Sequence, residues 1–402
     1  MKNTLKIKRK NFKLTTLGFT LIELLAVIVI LAIIAVIAVP IVLNIIEDSK
    51  KNASLRSAEM YMDAVELSKA NRVMHHGAIP NKAYPIMTGG NICLETYELK
   101  EGKYVCSDND NNPNNNELEV EVNGEAPKSG QIVIGNGEIE DATVKYSNDK
   151  TIVMNNKGEF IYPPTPKSFA EDDWSTIVAN VKAGNLSKYN VGDTKEISLT
   201  GFTNKETDSD GKYTIRIANT STPSECSTEG YSQTACGFVI EFKDIIIKHE
   251  MNKTNTNVGG YPASLMYTYI QNDIYNALPE ELKAVIIPTY VVSGHGNTSG
   301  EENFITEQDK LYLLSGKEVY GSDSSDTSSG LTRQLDYYSN IRVTTSSYAG
   351  AQKKLDGTSI DWWLRSAYSS STNYFYYVCN HGGWGSNSAS YARGVAVAFR
   401  IG

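Results

Sequence analysis

One apolar segment near the N-terminus constrains what this 402-residue chain can fold into. The segment reads GFTLIELLAVIVILAIIAVIAVP from Gly18 to Pro40, and Glu23 is its only charged residue. From Leu24 to Leu43 the chain has twenty uncharged residues, which as a helix measure about 30 Å and are enough to cross a bilayer. A carboxylate inside such a segment is energetically expensive, so Glu23 is expected to have a function.

The residues before this segment are basic, which predicts how the chain is oriented in a membrane. Positive charges that flank an apolar helix stay on the cytoplasmic side. A secretory signal peptide would have a shorter apolar core and a small-residue exit of the A-x-A type. The leader is therefore expected to stay in the cytoplasm, with the rest of the chain outside. Its basic residues are Lys2, Lys6, Lys8, Arg9, Lys10 and Lys13.

Glycine, aromatic, glutamate and proline residues at matching offsets give this segment a close resemblance to the prepilin signal of type IV pilins and type II secretion pseudopilins. The resemblance implies that a prepilin peptidase cuts after Gly18 and that Phe19 becomes the methylated N-terminus. It makes Glu23 the fifth residue of the mature chain and Pro40 the helix-kinking proline. An ordinary signal anchor is the alternative, and it leaves these offsets unexplained.

Glu23 is expected to act in assembly, because cleavage leaves a positive amine on Phe19. In a helical array of such segments, the carboxylate of one subunit neutralises the amine of its neighbour. This pairing lowers the cost of burying either charge. The predicted partners are therefore other pilin subunits, reached through the N-terminal helix after a single-pass membrane stage, and the predicted final location is a bacterial surface filament.

Charge and cysteine content narrow the partners and the compartment. The formal net charge is −8, and the leader holds six basic residues, so the chain after Gly18 is near −14. Such an acidic surface argues against nucleic-acid binding. Outside the membrane, disulfides are permitted, and two locally spaced pairs are candidates. They are Cys93 with Cys106 and Cys226 with Cys236, which leaves Cys379 over.

The chain divides into a long helix and two globular parts, which predicts an α+β fold class. In that fold a long transmembrane and assembly helix packs on an antiparallel pilin-like sheet, and a compact α+β domain follows. Strand-like alternation occurs in ELEVEVNGE, QIVIGNGEIEDATVKY and KTIVMNNKGEFIY. The predicted segments are a cleaved leader (1–18), the helix (19–77), the β head (78–162), a Pro-rich linker (163–168) and the C-terminal domain (169–402).

The second half of the helix is predicted to be amphipathic and to pack on the head. Leu55, Ala58, Met62 and Val65 recur at three- and four-residue steps between charged residues. Gly77 follows two histidines and is expected to end the helix.

An asparagine-rich stretch, DNDNNPNNNELE, gives a weak calcium candidate. Asp108, Asp110, Asn112 and Glu119 match the oxygen-ligand spacing of a calcium loop. Pro113 occupies the position where such a loop needs glycine, and a flexible loop is the favoured interpretation. No metal or other cofactor is therefore predicted.

The C-terminal part carries a second resemblance. The phrases GYPASLMYTYIQNDIYNALPEEL, DKLYLLSGKEVYG, DWWLRSAY and GVAVAFRIG resemble an uncharacterised bacterial surface-associated domain family with a WWLRS motif. That family is in turn similar to the sulfatase-modifying, C-type-lectin-like fold. FVIEFKDIIIK, KLYLLS and VAVAFRI are predicted as strands, and Ser264 to Leu278 as a helix. Trp362 and Trp363 are expected to pack in the core and at its rim. Arg365 is expected to make a structural ion pair or backbone hydrogen bonds, with Asp361 as a candidate partner.

The segment YSSSTNYFYYVCNHGGWGSNSASYAR is typical of ligand-binding loops. Tyrosine and tryptophan supply contact area at low entropic cost, while serine, glycine and asparagine adapt to a partner. A half-buried strand is the alternative. The predicted contact residues for an extracellular protein or glycan are Tyr374, Tyr376, Tyr377, Asn380, His381, Trp384, Asn387 and Tyr391.

Two functions follow from these patterns, and neither is enzymatic. No HExxH, GxSxG or P-loop motif is present. The favoured function is a minor or tip subunit of a type IV pilin-like surface filament, with an adhesive C-terminal domain. The alternative is a structural pseudopilin of a type II secretion or DNA-uptake machine, in which the extra domain is a spacer or cap.

Overall fold

One long helix and several antiparallel sheets make up the described part of the chain, which confirms the α+β class. The computed structural model describes residues 20–94, 97–100, 103–106, 117–146, 150–202, 211–298 and 302–402. The helices there are α1 (Leu21–His76), α2 (Trp174–Lys182), α3 (Leu265–Tyr269), α4 (Tyr275–Ala277), α5 (Glu280–Lys283), α6 (Gly316–Tyr320) and α7 (Asp336–Asn340).

Helix α1 begins with a capping box and ends at a glycine. The Thr20 hydroxyl accepts from the backbone N–H of Glu23, and the Thr20 N–H donates to Glu23 Oε2 at 2.9 Å. Gly77, with φ 86°, ends the helix as predicted. Pro40 lies inside the helix. Gly18 and Phe19, the predicted cleavage and methylation residues, lie outside the described residues.

The two halves of α1 have opposite surroundings. Its first half exposes the apolar side chains from Leu21 to Ile46, whereas Ala58, Tyr61 and Val65 in the second half are fully buried. Among the described helices, α1 is the one long and apolar enough to cross a membrane, and a signal sequence near an N-terminus would meet the same test. The same helix thus combines a bare apolar segment with a packed amphipathic one.

The first sheet lies against the second half of α1. Its strands, in the spatial order β5-β2-β1-β6-β7-β8-β9, all pair antiparallel. Asn136 and Gly137, both with positive φ, make the tight turn of the β6–β7 hairpin. The predicted strand in ELEVEVNGE is mostly wrong, since only Glu117–Leu118 pairs. The strands of this sheet are β1 (Lys82–Ile86), β2 (Ile92–Cys93), β5 (Glu117–Leu118), β6 (Ser129–Gly135), β7 (Glu138–Lys145), β8 (Thr151–Met154) and β9 (Phe160–Ile161). Strands β3 (Tyr97–Lys100) and β4 (Lys103–Cys106) pair with each other in a separate hairpin.

The C-terminal part contains two larger sheets and short hairpins. One sheet has the order β10-β11-β12-β24-β14 with β17 also on β24, and the other has the order β13-β23-β20-β21-β22. The strands are β10 (Thr194–Ser198), β11 (Lys212–Asn219), β12 (Val239–Phe242), β13 (Ile247–Glu250), β14 (Ile286–Ile287), β15 (Thr289–Ser293), β16 (Phe304–Asp309), β17 (Tyr312–Leu313), β18 (Lys354–Leu355), β19 (Thr358–Ser359), β20 (Trp362–Ala367), β21 (Tyr374–Val378), β22 (Trp384–Ser388), β23 (Ala392–Val395) and β24 (Val397–Ile401).

Two predicted single strands, FVIEFKDIIIK and VAVAFRI, are each split between these two sheets. Strand β12 pairs with β24 and β13 pairs with β23, so one antiparallel ribbon runs through both sheets. At the bend, residues 242–246 lie opposite only residues 396–397, and the extra residues turn the ribbon from one sheet into the other. Apolar sequence continues across the bend because Ile245, Ile246 and Ala396 are buried.

The predicted helix from Ser264 to Leu278 is present with one irregularity. Ser264 caps it by accepting from the Tyr267 N–H at 3.1 Å. A π-helical turn, Ile270–Ile274, joins α3 to α4, and Leu278 follows the last helical residue.

The buried cores divide at the Pro-rich segment 163–168. Apolar residues between 58 and 160 form one cluster with the first sheet, and those from Phe169 onward form separate clusters with the later sheets. Across the division, Lys182 Nζ lies 2.8 Å from Asp141 Oδ1.

Both predicted disulfides are present. Cys93 bonds to Cys106 and Cys226 bonds to Cys236, while Cys379 is a free, partly buried thiol.

Candidate ligand-binding face of the C-terminal domain

The WWLRS strand, β20, is a core strand. The side chains of Trp362 and Trp363 are fully buried, which confirms the prediction that they pack in the core. Each indole N–H has a backbone acceptor, since Trp362 Nε1 donates to Ala351 O at 3.1 Å and Trp363 Nε1 donates to His249 O at 3.0 Å. The pair therefore fixes β20 between the neighbouring elements and is not itself a ligand platform.

Arg365 makes the predicted structural ion pair, but its partner is Glu318 on α6. Two N–O distances of 2.6 Å join the fully buried guanidinium to both carboxylate oxygens. Burial opposes ionisation of Glu318, and Arg365 outweighs it, so the pKa of Glu318 is lowered. The candidate partner Asp361 was wrong because four residues along a strand span about 13 Å. Asp361 instead pairs with Arg393.

Strands β21 and β22 hold most of the predicted contact residues and divide them between two faces. Successive side chains in a strand point to opposite faces, and directly paired residues share a face. Tyr374 and Tyr376 therefore lie on one face with Trp384, which pairs with Val378. Tyr377 lies on the opposite face, together with Asn387, which pairs with Phe375.

The predicted residues also differ in exposure. Trp384 is 48% exposed, Tyr391 is 56% exposed and Tyr374 is 37% exposed, but Tyr376 is buried. Tyr377 is half-buried beneath Arg393, whose guanidinium carbon lies 3.6 Å from the ring centroid. This contact occupies the ring of Tyr377.

Asn380 and His381 lie in the turn between β21 and β22. Both are exposed, and the imidazole of His381 makes an edge contact with Tyr348 at 5.5 Å between ring centroids. The backbone N–H of Asn380 donates to Asp361 Oδ1 at 2.8 Å, so the turn is held by its main chain while both side chains remain accessible.

A cavity of about 210 Å³ opens beside the face of the β21–β22 hairpin that carries Tyr376 and Trp384. The rings of Tyr376 and Trp384 meet in its wall with 5.4 Å between centroids. Two of the predicted contact residues, Tyr376 and Trp384, therefore line the cavity. The loop of residues 322–325 also lines it and was not predicted as part of a site. The lining residues are Gly316, Tyr320, Ser322, Asp323, Ser324, Ser325, Thr345, Leu364, Tyr376 and Trp384.

Asp323 is the charged group of this cavity. Burial and the nearby carboxylate of Asp326 raise the pKa of Asp323 to about 7. Oδ1 accepts from the Ser325 N–H at 3.1 Å, whereas Oδ2 has no hydrogen-bond partner within bonding geometry among the described residues. The motif DSSD after a short capped helix was the signal for this site, but it resembles many polar surface loops.

Other predicted ligand groups are not brought together. Asp108, Asp110 and Asn112 of the calcium candidate lie outside the described residues, and Glu119 is exposed. Within the described ranges, no cluster of three or more His, Cys, Asp or Glu side chains could hold a metal ion.

Comparison with known proteins gives one match. Residues 239–402 match a family model described as a domain of unknown function (DUF6273). The match starts at the first residue of β12 and includes the WWLRS strand, the cavity and the β21–β22 hairpin. No curated protein and no solved structure matches the chain. The C-terminal part is therefore similar to a family whose description gives no activity.

Neutralising Asp323 is expected to stabilise the protein above neutral pH. A carboxyl with a raised folded-state pKa contributes stability that is complete below its unfolded pKa of about 4 and is lost as the pH rises through about 7. Asp323→Asn should therefore raise the unfolding free energy at pH 8 by about 2 kcal/mol and leave it nearly unchanged at pH 4. Thermal unfolding at the two pH values measures this difference. A variant less stable than wild type at pH 8 would contradict it.

Proposed function

We propose that the chain is a type IV pilin-like subunit of a bacterial surface filament, in a minor or tip position, with an adhesive C-terminal domain. The proposal rests on two features of the chain. The first half of α1 exposes its apolar side chains, and a separate C-terminal domain presents the open cavity beside Asp323, Tyr376 and Trp384. The helix supplies a means of insertion and assembly, and the domain supplies a surface that is not needed for either.

The first half of α1 supports the assembly part of this proposal. An apolar helix with exposed side chains on every side needs lipid or other protein around it. The prepilin-like residues Gly18, Phe19, Glu23 and Pro40 indicate that both surroundings occur in turn, first a membrane and then a bundle of like helices.

The capping box at Thr20 supports a role for Glu23 beyond its own helix. Both donors of Thr20, its N–H and its hydroxyl, bond to Oε2 of Glu23 at 2.9 and 2.8 Å. The carboxylate is thereby fixed at the start of the helix, where the other oxygen can accept from the amine of a neighbouring subunit.

The β21–β22 hairpin supports the adhesive part. Tyr374 and Trp384 are large aromatic side chains exposed on the face that borders the cavity. Tyr391, in the turn before β23, is exposed as well. Exposed aromatic groups beside a concave site are typical of surfaces that bind a partner.

The proposal is tested by measuring how extracellular glycans and proteins bind to cells that display the full chain. We expect wild type to bind at least one extracellular glycan or protein, and we expect Tyr374→Ala combined with Trp384→Ala to weaken that binding about tenfold or more. These side chains are exposed, so the double variant should fold. Ile305→Ala, which removes an exposed apolar side chain from β16, is the matched control and should bind normally.

The alternative function, a structural pseudopilin, predicts different results for the same cells. If no ligand is bound and deletion of the gene abolishes secretion or DNA uptake, the chain is a pseudopilin and the C-terminal domain is a spacer or cap. Equal binding by the aromatic variant and wild type would instead remove the hairpin as the adhesive surface.

A further inference from the structure

The acid–aromatic cavity, defined by Tyr320, Asp323, Tyr376 and Trp384, has a composition that selects one kind of ligand. Among the described residues, Asp323 is the one charged residue of its lining, and no lysine or arginine lines it. Above pH 7, where Asp323 is a carboxylate, an anionic ligand would be repelled, and a neutral ligand would leave the carboxylate without a counter-charge.

The charges around the cavity are unbalanced. Arg365 is the cation of this region, and it is already held by both oxygens of Glu318. Asp326 lies close enough to affect both Arg365 and Asp323, so the guanidinium that Glu318 holds also faces a second carboxylate. The ion pairs of the described residues include none for Asp323. A cation in the cavity would correct this imbalance.

Asp323 and Asp326 each have an oxygen that lacks a donor. Oδ2 of both residues is shielded from solvent and has no hydrogen-bond partner among the described residues. The terminal torsion of an aspartate side chain is broad, so Asp323 can turn its unpaired oxygen toward the cavity, and a cation there would replace the bond that Oδ1 accepts from the Ser325 N–H. An ammonium group has three donors and no acceptor, which suits this requirement.

The aromatic wall also favours a cation. Positive groups are attracted to the faces of tryptophan and tyrosine rings. Tyr320, Tyr376 and Trp384 all line the cavity, and the Tyr320 hydroxyl is directed away from solvent by donating to Gly382 O at 2.7 Å. The volume of about 210 Å³ is smaller than a drug-sized site, so it fits one end group of a larger ligand.

We infer that this cavity binds a primary alkylammonium group, with Asp323 as its counter-ion and the rings of Trp384 and Tyr376 against the ammonium end. The inference rests on the proposed adhesive function and names the chemistry of its ligand. Such a group is found on lysine side chains and on amino sugars, and both are accessible on cell surfaces.

Titration of the full chain with butylammonium at pH 8, where Asp323 is ionised, tests the inference directly. The protein is held in an uncharged polyoxyethylene detergent, which brings neither sugar nor amine. We expect millimolar binding by calorimetry, from one charge-assisted hydrogen bond and one cation–π contact. Butanol, which has the same aliphatic part and no charge, should bind at least about tenfold more weakly.

Two variants and one control locate the site. Asp323→Asn keeps the shape of the side chain and should weaken butylammonium binding about tenfold or more. Trp384→Leu keeps an apolar group and should weaken it about threefold or more. Asp273→Asn removes an exposed carboxylate from the π-helical turn of the same domain and should bind as wild type does.

The same titration distinguishes the sources of the ammonium group. Nα-acetyl-lysine amide is compared with its form acetylated on the ε-amine as well, and glucosamine is compared with glucose. Tighter binding of the charged member of either pair supports the inference and identifies the source. Equal binding of butanol and butylammonium, or unchanged binding by Asp323→Asn, would overturn it. If the displayed chain binds a ligand through Trp384 while no amine binds, the inference fails and the adhesive function stands.

Discussion

Arg365→Leu is expected to unfold the C-terminal domain at temperatures where wild type is native. The substitution leaves the carboxylate of Glu318 fully buried without its counter-ion. The Ser315 N–H and the Thr332 hydroxyl, at 2.9 and 2.8 Å, cannot neutralise that charge. Removing one partner of a buried pair costs about 3–5 kcal/mol, which corresponds to a melting temperature lower by about 10 °C for a domain of this size. Thermal unfolding followed by circular dichroism measures it.

Two further variants test whether the loss of stability comes from the unpaired buried charge of Glu318. Combining Arg365→Leu with Glu318→Met removes both charges and should recover part of the loss, because an apolar pair of similar volume needs no counter-ion. Glu280→Gln removes one partner of the exposed ion pair with Lys283 and should change stability by less than about 1 kcal/mol. If Arg365→Leu were as stable as wild type, the Glu318–Arg365 pair would not organise this domain.

Glu23→Ala is expected to remove the chain from filaments while leaving cleavage after Gly18 largely intact. In the proposed filament, this change leaves the amine on Phe19 of a neighbouring subunit without its counter-charge, which opposes burial of that amine. Incorporation should fall at least about tenfold. The measurement is the amount of the chain in sheared surface filaments relative to its amount in membranes.

The matched control for this prediction lies on the same helix. Asp48→Ala removes an exposed carboxylate from α1 beyond the apolar segment, and its incorporation should be normal. Filaments that contain Glu23→Ala at the wild-type level would show that assembly does not use this carboxylate.

Features set by local sequence were predicted correctly. The extent of α1 follows from its apolar run and from Gly77, and the buried positions Ala58, Met62 and Val65 follow from helical periodicity. The disulfides join cysteines 13 and 10 residues apart, a spacing at which loop closure is easy. These elements depend on neighbours in the chain, and the sequence displays such neighbours directly.

Features set by distant contacts were not predictable in this way. Glu318 lies 47 residues before Arg365, and no pattern in either segment identifies the other. The apolar run through β12 and β13 continues across a bend, because the bend itself is buried. A half-buried strand was the alternative interpretation of the β21 segment, but which of Tyr376 and Tyr377 borders the cavity depends on how the sheet packs.

The cavity illustrates the same limit for the candidate site. Trp384 was identified from the composition of its own segment, whereas Asp323 lies in a polar loop after α6. Only the packing of α6 against β20 and of β20 against β21 brings these two side chains to one cavity. The composition of the segment therefore identified the side of the cavity that Trp384 forms, whereas Asp323 could be assigned to the cavity only from the tertiary structure.

Mass spectrometry of the N-terminal peptide of the chain, purified from the cell surface, tests the central claim most directly. The account predicts a peptide that begins at Phe19 and carries one methyl group on its amine. A surface chain that retains residues 1–18, or one that begins at another residue, would contradict the assignment to type IV pilin-like filament subunits.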